Sequence, residues 1–125
     1  MTENSVIFIV DDDASVRTAI RRLLMSQDLP VRMFASAEQF LAQIDSSARG
    51  CLILDVRLPG MTGLQLQNQL VAQAWKLPVI IVSAHDEAEA RDSALRMGAI
   101  AYVCKPFDRA ELLASVHAAM ASAES

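Results

Sequence analysis

The sequence predicts a doubly wound α/β domain, a five-stranded parallel sheet with helices on both faces, and three observations predict it. Five short strand-like runs alternate with five longer segments of helical period, and strict alternation implies right-handed crossovers between parallel strands. The runs are apolar almost throughout, as strands buried on both faces must be. Four of them end on polar side chains, Asp11/Asp12, Asp55, Ser83 and Lys105, which a parallel sheet gathers along its carboxyl edge.

The first strand is Val6 to Val10. Residues 14 to 26 carry Val16, Ala19, Ile20, Leu23 and Leu24 at helical spacing, with Arg17, Arg21 and Arg22 on the opposite face. Pro30 opens the second strand, Val31 to Phe34. Ser36 to Ile44 begins with a Ser-x-x-Gln capping box and buries Phe40, Leu41 and Ile44. Gly50 is read as a chain break before the third strand, Cys51 to Leu54, and residues 57 to 63 as a shaped loop rich in turn residues. A helix over 63 to 74 follows, and Pro78 marks entry to the fourth strand, Val79 to Val82. Asp86-x-x-Glu89 starts a helix that runs to Met97 and stops at Gly98. Ala101 to Cys104 is the fifth strand, and Asp108-x-x-Glu111 starts a last helix with Leu112, Leu113, Val116, Ala119 and Met120 on its apolar face. Five such units suggest the flavodoxin-like (βα)5 strand order 2-1-3-4-5 in a single domain over residues 1–125, with the switch point between strands one and three, beside Asp11, Asp12 and Asp55.

Composition narrows the function. A chain of 125 residues with 53% hydrophobic content supports one aliphatic core without a staple. A net charge of −4 argues against direct nucleic-acid binding by this segment. Cys51 and Cys104 sit in apolar runs and read as buried thiols of a reducing cytoplasm, not as a disulfide or zinc pair. No basic leader precedes the first strand, and no apolar run approaches the ~18 residues a membrane span requires. The small, polar residues 121–125 read as the start of a linker.

The strand-end groups carry the chemistry. Asp13 reads as a helix N-cap, and Asp11 and Asp12 alone would pass for a solvated turn. Asp55 changes that reading, because carboxylates crowded into one cleft repel unless a cation sits between them, and Mg²⁺ suits carboxylates plus phosphate oxygens. Asp55 is then a nucleophile for a phosphoryl group, with Asp12 and Asp11 holding the ion. Lys105 needs an anion, either Asp55 or Asp12 at rest or phosphoryl oxygens after transfer. The Lys105-Pro106 bond is predicted to be cis, aiming the ammonium inward. Ser83 can donate to a phosphoryl oxygen, and Tyr102 can rotate into space that Ser83 vacates; each also has a plain packing explanation. His85 and His117 read as surface residues, and Trp75 as core or helix-end packing. No glycine-rich phosphate loop follows the first strand, against a nucleotide or flavin module.

The segments Ile9-Val10-Asp11-Asp12-Asp13, Leu54-Asp55-Val56-Arg57-Leu58-Pro59-Gly60-Met61-Thr62-Gly63, Ile81-Val82-Ser83-Ala84 and Tyr102-Val103-Cys104-Lys105-Pro106-Phe107 closely resemble the receiver domain of bacterial two-component response regulators, in wording most like the FixJ-type subfamily. The resemblance implies phosphorylation of Asp55 by a sensor histidine kinase, Mg²⁺ held by Asp11, Asp12, Asp55 and the backbone carbonyl of Arg57, and a relay through Ser83, Tyr102 and Lys105. It also implies dimerisation on phosphorylation through residues within 86–104, Arg57 and His85 as tuners of phosphoryl lifetime, and transcription regulation through a C-terminal helix-turn-helix domain that this chain lacks. Two other readings compete. A haloacid-dehalogenase-type phosphohydrolase would use Asp11 as its nucleophile but leaves Asp55 without a task and offers only Asp108 and Glu111 as further acids. A non-phosphorylated pseudo-receiver would keep the fold alone.

Overall fold

The computed structural model describes residues 5–84 and 87–123. Its elements are β1 (Ser5–Val10), α1 (Ala14–Met25), β2 (Val31–Phe34), α2 (Ala37–Gln43), β3 (Arg49–Asp55), α3 (Gly63–Ala72), β4 (Val79–Ser83), α4 (Ala88–Arg96), β5 (Ala101–Cys104) and α5 (Arg109–Ala123). All five strands pair in parallel, in the order β2-β1-β3-β4-β5. The predicted α/β class and strand order are therefore those of the folded chain.

Alternation along each strand divides the apolar residues between two cores. Phe8, Val10, Leu52, Leu54 and Ile81 pack with Phe34, Phe40, Leu66, Leu70 and Ala94 on the side of α2, α3 and α4. Ile7, Ile9, Ile53, Ile80 and Val82 pack with Ile20, Leu24, Leu112 and Val116 on the side of α1 and α5. Phe40 anchors the first core, edge-on to Phe8 at 5.7 Å and to Phe34 at 5.5 Å, with Trp75 tilted against it at 5.8 Å.

Gly50 does not break the chain. It lies inside β3 opposite Val6 of β1, at φ 124, and a Cβ there would lie 1.9 Å from the Val6 carbonyl oxygen. Its lack of a side chain permits close strand approach, so the punctuation value of glycine misplaced the start of β3. The Ser36 capping box is half formed: the Gln39 amide donates to Ser36 Oγ, but Gln39 Oε1 accepts from Ala35 N, one residue further out. A complete box stands instead at Thr62 and Gln65, at the head of α3. Helix α4 begins at Ala88 behind Glu87, which makes no side-chain cap; the expected start at Asp86 lies outside the described residues, as does His85. Gly98 ends α4 at φ 99, as a C′ glycine should. Helix α5 continues through Ala123, so residues 121–123 are helical, and 124–125 lie outside the described residues.

Cys51 is fully buried, and burial pushes its thiol up to about 12. Cys104 is only half-buried, contrary to expectation, because β5 is an edge strand; its Sγ lies 3.6 Å from Arg91 Nη2 of α4.

Candidate functional site: an acidic cluster at the carboxyl edge of the sheet

β1, β3 and β4 run side by side, and β5 closes the edge. The loops that leave their carboxyl ends carry the polar groups. Asp13 caps α1, its side chain accepting from the Ser15 and Val16 amides, and this turns the chain so that Asp11 points inward while Asp12 stays exposed. Asp11 is 2% exposed. One of its carboxylate oxygens accepts from Asp13 N at 2.9 Å and the other from Lys105 Nζ at 2.8 Å.

Asp55 is 7% exposed at the last position of β3. Two long contacts hold it: Arg57 N donates to Oδ1 at 3.3 Å, and Lys105 Nζ lies 3.4 Å from Oδ2. Asp11, Asp12 and Asp55 each present an oxygen within 4.8 Å of the others. Burial, then the charge of Asp11, raises the Asp55 carboxyl above its ordinary value, against the opposing pull of Lys105 and the Arg57 amide. For Lys105, burial alone would depress the ammonium, but the hydrogen bond and charge of Asp11, with Asp55 behind them, outweigh it and leave the pKa raised. The resting partners of Lys105 are therefore Asp11 and Asp55. The expected alternative, Asp12, is turned to solvent by the Asp13 cap.

The Lys105-Pro106 peptide is cis, as predicted, and Lys105 N donates to the Ser83 carbonyl at 2.7 Å, tying the ends of β4 and β5. Ser83 is 1% exposed, one position beyond the Asp55–Val82 pair of β3 and β4. Alternation puts Ser83 on the same sheet face as Ile81, and Tyr102 pairs with Ile81 in register. Tyr102 is partly buried on that face under α4, with the Arg91 guanidinium 5.2 Å from its ring centroid. His117 is exposed.

Several supporting residues escaped the sequence reading. Arg17, placed on the outer face of α1, donates to the Asp11 carbonyl at 2.6 Å. Gly63 seats α3 on the acceptor loop: a Cβ there would lie 1.9 Å from the Asp55 carbonyl oxygen, and its amide donates to the Val56 carbonyl. Glu38 of α2 accepts from Met61 N at 2.8 Å and braces the same loop. The Arg57 side chain pairs with Glu87 ahead of α4. The loop glycines were visible as turn signals; the long-range partners have no local signature.

Residues 7–117 match the family model of the response regulator receiver domain. The chain belongs to that family. This receiver is 44% identical over 117 residues to the transcriptional regulatory protein TdiR of Thauera aromatica, covering 94% of this chain and 52% of that protein. It is 33% identical over 124 residues to the transcriptional regulatory protein FixJ of Bradyrhizobium diazoefficiens, covering 99% of this chain and 60% of FixJ. The solved response regulator StyR superposes with a TM-score of 0.91 at 36% identity, over 97% of this chain and 61% of StyR. The receiver thus spans little more than half the length of the curated relatives it matches. Its place in the family makes it a signalling domain of two-component regulation, and no helix among the described residues is long and apolar enough to cross a membrane.

Proposed function

We propose that Asp55 is the phosphoacceptor of a Mg²⁺-dependent switch, loaded by a sensor histidine kinase in the cytoplasm. The carrying observation is the unequal hold on the two buried acids. Both oxygens of Asp11 are committed to short hydrogen bonds, whereas Asp55 keeps only contacts of 3.3 and 3.4 Å. A nucleophile needs an available lone pair, which favours Asp55 over the Asp11 of the phosphohydrolase reading. An Asp55 oxygen attacks the phosphorus of a phosphohistidine, the phosphorus–nitrogen bond breaks, and the imidazole leaves with a proton.

Asp11, Asp12 and Asp55 fit a hard divalent ion: three carboxylates, two buried and one exposed, present oxygens within 4.8 Å of one another, and the Lys105 ammonium beside Asp11 and Asp55 leaves excess negative charge among them. These three, with the Arg57 backbone carbonyl, would hold it. Bound there, Mg²⁺ supplies the positive charge that lets two anions approach. Lys105 already bridges Asp11 and Asp55 and is within reach of phosphoryl oxygens on Asp55. Ser83 supplies a hydroxyl at the neighbouring strand end, and Tyr102, packed under α4, passes its movement to the surface within residues 86–104, where two copies pair. A recess of about 280 Å³ beside the site, lined by Val16, Ala19, Pro106 and Phe107, supports docking of the kinase helix that presents the histidine. Control of transcription would come through an output domain beyond this segment, since its net charge is −4.

The test is mass spectrometry after incubation with acetyl phosphate and MgCl₂. The reading expects one acid-stable, base-labile phosphoryl group on Asp55, absent from Asp55→Asn. Label on Asp11 would overturn it in favour of the hydrolase; no label, with unchanged signalling by Asp55→Asn in cells, would favour a pseudo-receiver.

A further inference from the structure

The loop that leaves the acceptor strand is fastened locally at both ends. Arg57 N donates to Asp55 Oδ1 at 3.3 Å, and Gly63 N donates to the Val56 carbonyl at 2.9 Å. Thr62 and Gln65 cap α3 through each other. Among the described residues, one hydrogen bond carries the backbone of residues 57–62 to an element other than β3 and α3: Met61 N donates to Glu38 Oε2 of α2 at 2.8 Å. Gly60 makes room for it at φ 75, where a Cβ would lie 2.5 Å from the same oxygen. The Met61 amide is also the main reason the Glu38 carboxyl lies below its ordinary value, so the ionised form is the one that holds the loop. Ser36 already caps α2 through Gln39 N, and Glu38 is exposed, so the contact serves the loop more than the helix.

From this single outside tether, we infer that Glu38 is a positioning residue of the phosphoacceptor site: its carboxylate fixes the loop that carries Arg57, and so sets how well the site holds Mg²⁺. Given the phosphoacceptor reading, on which this rests, the Arg57 carbonyl joins Asp11, Asp12 and Asp55 around the ion. Arg57 also gives its amide to Asp55. A loop freed at Met61 therefore loosens a metal ligand and a hold on the nucleophile together. Outer groups that orient metal ligands typically cost ten- to a hundredfold in affinity when removed, roughly speaking. Glu38 acts through the backbone between Met61 and Arg57, which puts its removal at the lower end of that range.

The experiment compares Glu38→Ala and Glu38→Gln with the unaltered chain by NMR, following the Arg57, Met61 and Gly63 amides as MgCl₂ is titrated into metal-free protein. In EDTA, hydrogen exchange at Met61 should quicken in Glu38→Ala and stay slow in Glu38→Gln, which keeps an accepting oxygen. Glu38→Ala should weaken Mg²⁺ binding about tenfold, and Glu38→Gln should restore most of the loss. Labelling by acetyl phosphate should need correspondingly more Mg²⁺ to reach half its maximal rate, with the rate at saturating Mg²⁺ little changed, because the bound ion re-orders the loop. A brace that is merely structural would lower the urea midpoint in EDTA and leave the Mg²⁺ affinity of the folded protein alone. Equal Mg²⁺ affinity in Glu38→Ala and its parent, or no recovery in Glu38→Gln, would overturn the assignment of Glu38 while sparing that of Asp55. An unaltered chain whose amides here do not respond to Mg²⁺ would sink both, so the two failures are told apart.

Discussion

Replacing Asp55 by asparagine should make the metal-free protein more stable while removing its acceptor. The opposing charges can be weighed from the geometry. Repulsion from Asp11, with an oxygen within 4.8 Å, and attraction to Lys105 at 3.4 Å come to roughly 3.5 and 5 kcal/mol at an effective dielectric of about 20. They largely offset, so desolvation of the carboxylate, on the order of several kcal/mol for an ion taken from water, decides the sign. The raised Asp55 carboxyl has the same cause. Asparagine keeps an oxygen for the Arg57 amide and sheds the charge, which should gain about 1–2 kcal/mol near pH 7.5. Because the folded state holds the Asp55 proton more tightly than the unfolded chain, stability falls as pH rises from about 3.9 through the raised folded value. The advantage of Asp55→Asn should therefore be absent below about pH 4 and grow as pH climbs through the raised folded value. Urea denaturation in EDTA across that range measures it, and MgCl₂ should raise the midpoint of the unaltered protein far more than that of the variant. An Asp55→Asn protein no more stable than its parent in EDTA at pH 7.5 would refute the claim that burial outweighs the lysine.

Removing the other partner should act in the opposite direction. Lys105→Met leaves two buried carboxylates facing each other and should cost about 3 kcal/mol at neutral pH, less when combined with Asp55→Asn; a double-mutant cycle by urea denaturation reads the coupling. Because the Lys105 pKa is raised in the fold, its contribution is intact below about pH 10.4 and lost as pH climbs through the folded value, so Lys105→Met should flatten the alkaline limb of the stability curve. Gly63→Ala drives a Cβ toward the Asp55 carbonyl, 1.9 Å away, and should cost at least about 2 kcal/mol and slow acetyl-phosphate labelling by displacing the acceptor loop. In the native protein at pH 8, iodoacetamide should modify Cys104 well before Cys51, whose buried thiol is pushed up to about 12; equal rates would mean the core opens on that timescale.

The amino-acid order alone determined the strands, their parallel arrangement and the acids, hydroxyl and ammonium at their ends, because each rests on local signals: apolar runs with the period of a buried strand, caps, and polar residues where such runs stop. It was legible that Asp11, Asp12, Asp55 and Lys105 would meet, since parallel strands must deliver their carboxyl ends to one edge. Which acid would hold the lysine was not legible. That depended on Asp13 capping α1 and turning Asp12 outward, a choice between adjacent residues made by the helix's unpaired amides. Gly50 was misread for a related reason: a glycine's local meaning is a turn, and only the approach of Val6 from another strand makes it a spacer within β3. The capping box settled on Thr62 and Gln65, while Gln39 bonded past Ser36 to Ala35, because neighbouring amides compete for the same side chain. Gln67 carries no local mark of its burial, which exists only because α4 packs over it and accepts its amide through the Ala94 carbonyl. Partners distant in sequence leave no periodic mark, so pairing, burial and the balance of charge at the acidic edge were decided by the tertiary structure.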